Sequence, residues 1–149
     1  FSGSIYDNIA LYNPEITLEI VQEAAKELEI HDFIMTLPGN YYYDVKERGA
    51  TLSLGQRQLI SFIRALIANP SILILDEATS SVDTQTEHII QNAIAKLIKG
   101  RTTIIIAHRM STIVHANKIL VLDKGTVSDI GNHADLLSRN PVYQNYFFE

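Results

Sequence analysis

Residues 72–83, ILILDEATSSVD, constrain the fold more than any other stretch. Four branched apolar side chains in a row stop abruptly at two adjacent carboxylates, Asp76 and Glu77. With Asn69-Pro70 in front and Ser80-Ser81 behind, the run reads as a short strand buried on both faces and ending at the edge of a parallel sheet. In open α/β sheets the carboxyl ends of the strands line the ligand crevice, where Asp76 and Glu77 would meet a phosphate, a metal and a water. A lone run ending in Asp-Glu also serves simply to cap the next segment, and the choice between the two depends on the other motifs.

The rest of the chain alternates helices with such runs. Ser2-Gly3-Ser4 reads as a turn into a short helix carrying Ile5 and Ile9, stopped by Asn13-Pro14. Thr17 is placed to cap a helix whose Leu18, Val21, Ala25 and Leu28 recur at helical spacing. A second short helical piece is expected from Asp32 to Leu37, then a loop, Tyr41 to Ala50, with no sustained period. Three consecutive tyrosines suit a loop that touches something and equally an ordinary packed loop.

Leu59, Phe62, Ile63, Leu66 and Ile67 mark one face of the next helix, which must end by Asn69-Pro70. Ser53 and Gln56 stand in capping-box spacing at its start. Gly55 then lies in the first turn, where free N–H groups and the positive dipole end can hold an anion, although a well-capped helix needs no anion to explain it. After the apolar strand, Thr84 and Glu87 repeat the capping pattern, and Ile90, Ala93, Ile94, Leu97 and Ile98 supply a core-facing stripe. Thr102 to Ala107 reads as a second buried strand ending at the polar His108. A short helix over 109–114, a strand over 118–122, a turn at Lys124-Gly125 into a strand over 126–130, and two helices over 134–138 and 142–148 complete the α/β pattern.

Composition narrows the classes. With 149 residues and 46% hydrophobic content the chain can build one domain with a real core. No unbroken apolar stretch exceeds five residues, against about 20 for a membrane-spanning helix. A net charge of -5 without a basic run argues against nucleic acid as the main partner. The absence of cysteine excludes disulfides and cysteine zinc sites and is compatible with a reducing compartment. The first residue is Phe1, not an initiator Met, and nothing near it reads as a signal peptide, so the chain is expected to be a piece of something longer.

Taken together, LSLGQ at 52–56, ILILDEATSSVD at 72–83 and AHR at 107–109 resemble the signature motif, the Walker B strand with its D-loop, and the switch histidine of ATP-binding cassette (ABC) proteins. FSGSIYDNI and VLDKG also look like that family. ERGATLS, DEATSSVD and AHRMSTI resemble its exporter branch, whereas importers more often read DEP and SHD or THD. The resemblance implies an α/β fold, part of a P-loop NTPase (RecA-like) core with a parallel sheet, plus an α-helical signature subdomain. It would divide the chain into residues 1–70, the helical subdomain, and 71–149, the later part of the ATPase core.

The same resemblance implies the roles. Asp76 matches the aspartate that holds Mg²⁺, and Glu77 the catalytic carboxylate that polarises the attacking water. His108 matches the histidine on the γ-phosphate. Ser53, Gly55 and Gln56 match the signature that closes over ATP held by another nucleotide-binding domain, identical or different. Asp83 matches the aspartate that couples two such sites across a dimer, and Asp44 to Gly49 the segment facing the transmembrane domain. His31, His88, His115 and His133 match no family position. ATP and Mg²⁺ are thus the implied cofactors, and the cytoplasmic face of a membrane the implied location.

Two departures stand out. Leu54 occupies the place of the first signature glycine, and none of the seven glycines stands in G-x-x-x-x-G-K-[ST], the phosphate-cradling loop. The family places that loop upstream of a segment like FSGSI, so the chain is expected to be the C-terminal portion of its domain and to hydrolyse little or no ATP alone. The competing expectations are a cassette-derived interaction module and a soluble cassette ATPase of nucleic-acid metabolism. The second would carry a coiled-coil insertion or a basic surface, and neither occurs between Thr17 and Ser53.

Overall fold

Side-chain caps decide where most helices begin in the computed structural model, which describes residues 2–76, 83–107 and 110–148, the side chains of Met110 and Ser111 excepted. Ser4 opens α1 (Ile5–Ala10) through a reciprocal box with Asp7 that the sequence reading did not anticipate. Thr17 opens α2 (Leu18–Glu27), and α3 (His31–Met35) begins without a side-chain cap. Ser53 opens α4 (Leu54–Ala68), which closes on Asn69 in the left-handed region ahead of Pro70. β1 (Ile72–Asp76) follows, then α5 (Thr84–Leu97), β2 (Thr102–Ile106) and α6 (Met110–Ile113). The chain continues through β3 (Ile119–Asp123), β4 (Thr126–Gly131), α7 (His133–Arg139) and α8 (Pro141–Phe148).

The backbone falls into two compact units, Phe1–Ile74 with Thr79–Ile104, and Leu75–Ala78 with Ile105–Glu149. In the first unit α4 packs against α5, α1 and α2. It contributes Leu59, Ile60, Phe62 and Ile63 to a core completed by Ile5, Ile9, Val21, Leu28, Ile34, Ile90 and Leu97. Each such large side chain stabilises the fold by about 1.5–3 kcal/mol relative to exposure, which explains why a helix with one apolar face becomes the centre of the unit. The Arg64 guanidinium ties α4 to α1, its Nε and Nη2 donating to the Asn8 carbonyl at 3.0 and 2.6 Å. The tyrosine-rich stretch contains two single 3-10 turns, Asn40–Tyr42 and Glu47–Gly49, and an antiparallel bridge from Asp44 to Ser4.

β1 and β2 pair, and the Thr102 N–H donates to the Ser71 carbonyl at 3.3 Å. That bond joins the starts of the two strands, so they run parallel with α5 as the crossover. The expectation that both strands are buried on both faces is corrected here. Only Leu73 of β1 is buried, while Ile72, Ile74, Ile104 and Ile106 are more than half exposed. A strand loses both faces from water only when both are covered, and here the side chains of Ile72, Ile74, Ile104 and Ile106 stand in water.

In the second unit β3 and β4 form an antiparallel hairpin, a separate sheet from the parallel pair. Lys124 and Gly125 both have positive φ, which suits the primed two-residue turn that matches strand twist. Ile119 and Val121 face a small core with Leu136 of α7 and Tyr143 of α8. A register shift after Val121 leaves Ser128 without a partner in the ladder. Leu120 opposite Ile130 and Leu122 opposite Val127 therefore share the other, exposed face.

Candidate functional site

Three of the sequence-predicted residues meet at the start of α4. The Ser53 hydroxyl accepts from the Gln56 N–H at 3.2 Å, and the Gln56 carboxamide oxygen accepts from the Ser53 N–H at 2.9 Å. A helix start leaves four N–H groups without intrahelical partners, and this box engages two of them. The amides of Leu54 and Gly55 are left directed out of the helix end. Gly55 is buried and places no side chain over them, while Leu54 is 43% exposed. An anion set against such a turn gains about 0.3–1 kcal/mol from the dipole before any hydrogen bond is counted. The Ser53 hydroxyl, used here as an acceptor, keeps its own proton to donate.

Asp83 begins α5, its carboxylate accepting from the Thr86 N–H at 2.9 Å. The cap therefore stands one residue earlier than the Thr84–Glu87 box expected from the sequence, because a carboxylate accepts that bond more strongly than a hydroxyl. The Thr86 N–H holds the Asp83 carboxyl below its ordinary range, so the side chain is an anion under physiological conditions. α4 and α5 pack together, so the Ser53 turn and Asp83 open two helices of one unit.

Asp76 is the last residue of β1 and is exposed. A carboxylate is a hard oxygen donor of the kind Mg²⁺ takes, one or two at a time, together with phosphate oxygens and waters. Among the described residues no group of three or more His, Cys, Asp or Glu is placed to hold a metal ion. Glu77 and His108 lie outside the described residues. Of the other histidines, His31 and His133 each share a 2.8 Å hydrogen bond with a tyrosine, Tyr41 and Tyr143. His88 and His115 are exposed, so all four fit the reading as surface or core residues.

Sequence reasoning missed Arg57. Its Nη1 donates to the Gly49 and Leu52 carbonyls at 3.2 and 3.3 Å, fastening the segment before α4 to the helix itself. The available signal was an arginine placed immediately after the capping box, within reach of the preceding loop.

Residues 4–80 match the family model described as ABC transporter. The chain is 50% identical over 147 residues to the YgaD protein of Bacillus subtilis (strain 168), named a multidrug export ATP-binding/permease protein, covering 99% of this chain and 25% of that one. A protein of the same name type from Staphylococcus aureus (strain NCTC 8325 / PS 47) is 48% identical over the same shares. The solved structure of a bacterial Atm1-family ABC exporter with ATP bound superposes with a TM-score of 0.85 at 42% identity, covering 99% of this chain and 26% of that one. The chain thus spans about a quarter of the length of the relatives it matches.

Proposed function

The chain belongs to the ABC transporter family, and from that premise we propose that it serves a membrane exporter as the signature-bearing, catalytic part of a nucleotide-binding domain that hydrolyses ATP. The observation that carries this reading is the Ser53–Gln56 turn, whose reciprocal box leaves the Leu54 and Gly55 amides facing outward. Those donors and the Ser53 hydroxyl suit the γ-phosphate of ATP held by a second nucleotide-binding domain, the phosphate acceptors replacing water at a helix N-terminus.

Hydrolysis needs a base, a cation ligand and a charge stabiliser, and residues 71–149 supply each in this reading. Glu77, directly after the last residue of β1, orients a water and draws on its proton as the water oxygen bonds to the γ-phosphorus. The bond from that phosphorus to the bridging oxygen breaks, and ADP leaves with the electron pair. Asp76 would hold Mg²⁺, usually through water, and the cation when bound neutralises charge on the phosphate oxygens. His108 contacts the γ-phosphate, and Asp83, anionic at the start of α5, couples the two sites of the dimer. Residues 1–70 act as the helical subdomain that presents the signature, and the Asp44–Gly49 loop faces the transmembrane domain at the cytoplasmic side of the membrane.

Among the described residues no helix is long and apolar enough to cross a membrane. In this reading the transmembrane domain of the same transporter carries the export path and selects the substrate. Mg-ATP turnover by the full-length protein, with Glu77→Gln measured beside it, tests the reading. Loss of turnover by about 10²-fold or more in the variant is expected for removal of the residue that activates the water. A full-length protein that binds ATP but is equally inactive in both forms would move the interaction-module reading to the front.

A further inference from the structure

The Ser53–Gln56 turn is held from behind by one side chain. Arg57 belongs to α4, yet its guanidinium folds back past the helix start to reach the Gly49 and Leu52 carbonyls. The Gly49 carbonyl also accepts from the Leu52 N–H at 3.0 Å, so both its lone pairs are engaged. Helix electrostatics do not place the cation there, because the first turn is the positive end of the dipole and repels it. The two carbonyls decide the position.

The fastened segment has an uncommon backbone. Lys46 has φ 60 and ψ -177, a region essentially reserved for glycine, and Arg48 has φ 56 and ψ 18. Asp44 holds Lys46 through the Lys46 N–H at 2.9 Å and its ammonium at 2.6 Å. Val45 is fully buried and its N–H donates to the Gly3 carbonyl at 2.9 Å. Val45 thus anchors one end of the loop and Arg57 the other. Moving Glu47 to Leu52 against the Ser53 turn requires breaking both Arg57 bonds.

We propose that Arg57 is a positioning residue that makes the 44–52 loop and the Ser53–Gln56 turn one moving piece, so that nucleotide docking at the turn is transmitted to the loop. The proposal rests on the reading of that turn as nucleotide-binding. Arg57 itself touches no nucleotide and takes no part in the chemistry. Its two bonds instead set whether the loop follows the turn, a property that helix stability alone does not require.

Lys46 and Arg48 are exposed within this chain, so in the full-length protein trypsin reads whether the loop lies against the transmembrane domain it faces or is released from it. In the full-length protein carrying Glu77→Gln, cleavage after these residues is followed by mass spectrometry with and without Mg-ATP, and binding of a fluorescent ATP analogue is measured in parallel. Mg-ATP is expected to change the cleavage rate about fivefold, the lower end of ordinary coupling between sites. Arg57→Met should be cut faster without nucleotide and should lose the response while still binding the analogue. Arg57→Lys keeps the charge on a single ammonium and should respond partially; it carries the comparison if the Met variant fails to fold. Either variant binding nucleotide with the full parental response overturns the role of Arg57. A parent that binds the analogue but whose cleavage does not respond to Mg-ATP overturns instead the reading of the turn as the nucleotide's docking point, so the two failures are distinct.

Discussion

Among the described residues Tyr41 departs well from its ordinary range. It is 2% exposed, its hydroxyl pairs with His31 Nδ1 at 2.8 Å, and burial pushes the phenol up from 10.0 to about 12. Between those two values the unfolded chain releases the proton and the folded chain keeps it, so stability is full below pH 10, falls as pH rises towards 12 and levels off beyond. Phenolate absorbance during alkaline titration should show Tyr41 and the buried Tyr143 ionising after the exposed tyrosines, and Tyr41→Phe should shrink that late step. An unchanged profile would mean that the hydroxyl is not held as described. Ser53 offers a second test at this scale. Ser53→Ala removes one bond of the capping box and should cost about 1 kcal/mol in urea unfolding, with Ser53→Gly costing only a few tenths. In the full-length protein the same Ser53→Ala change should also weaken Mg-ATP turnover, because the hydroxyl has a proton to give to phosphate. Loss of stability without loss of turnover would confine Ser53 to the cap.

At the scale of elements, α5 depends on a titrating cap. Asp83 lies below the ordinary carboxylate range because it accepts from the Thr86 N–H. Its stabilisation is therefore present above the unfolded value of 3.8 and lost as pH falls through the lower folded value. Asp83→Asn keeps an acceptor without the charge and should remove that part of the acid sensitivity, whereas Asp83→Ala should lower the melting temperature at neutral pH as well. Melting curves followed across the acid range separate these outcomes. The sequence placed this helix correctly but put its cap at Thr84, since spacing alone does not distinguish two adjacent acceptors. It placed all four strands within about a residue, because short apolar runs between turn residues are local signals. Their exposure is not written in the runs themselves, since burial depends on what covers a face; only the family resemblance, through the missing neighbours of a partial sheet, implied open apolar faces. The Ser53–Gln56 box was legible as a cap at fixed spacing, whereas a site role for Ser53, Gly55 and Gln56 is what the family resemblance implies. Arg57 was not legible, because a side chain that bends back against the direction of its helix leaves no periodic trace.

At the scale of the whole molecule, two apolar surfaces demand a partner. Ile72 and Ile74 of β1 and Ile104 and Ile106 of β2 are each more than half exposed, and the pairs Leu120–Ile130 and Leu122–Val127 share an exposed face of the hairpin. Soluble monomers rarely leave contiguous apolar faces of this kind open, and strand pairs with unpaired edges are templates for association. The isolated 149-residue polypeptide should therefore self-associate, its mass by light scattering rising with concentration. Placing threonine at Ile74 and Leu122 should reduce that association with little loss of helicity, because both side chains are already in water and contribute little to either core. A monomer with a sharp, cooperative melt would contradict the exposure of these side chains. The same polypeptide should show no measurable Mg-ATP turnover, since none of its seven glycines builds a phosphate-cradling loop. Association and inactivity have separable causes. The threonine variants should restore the monomer without restoring turnover, whereas turnover appearing in the monomer would mean that a phosphate site exists within these residues and that the need for a longer protein is misplaced.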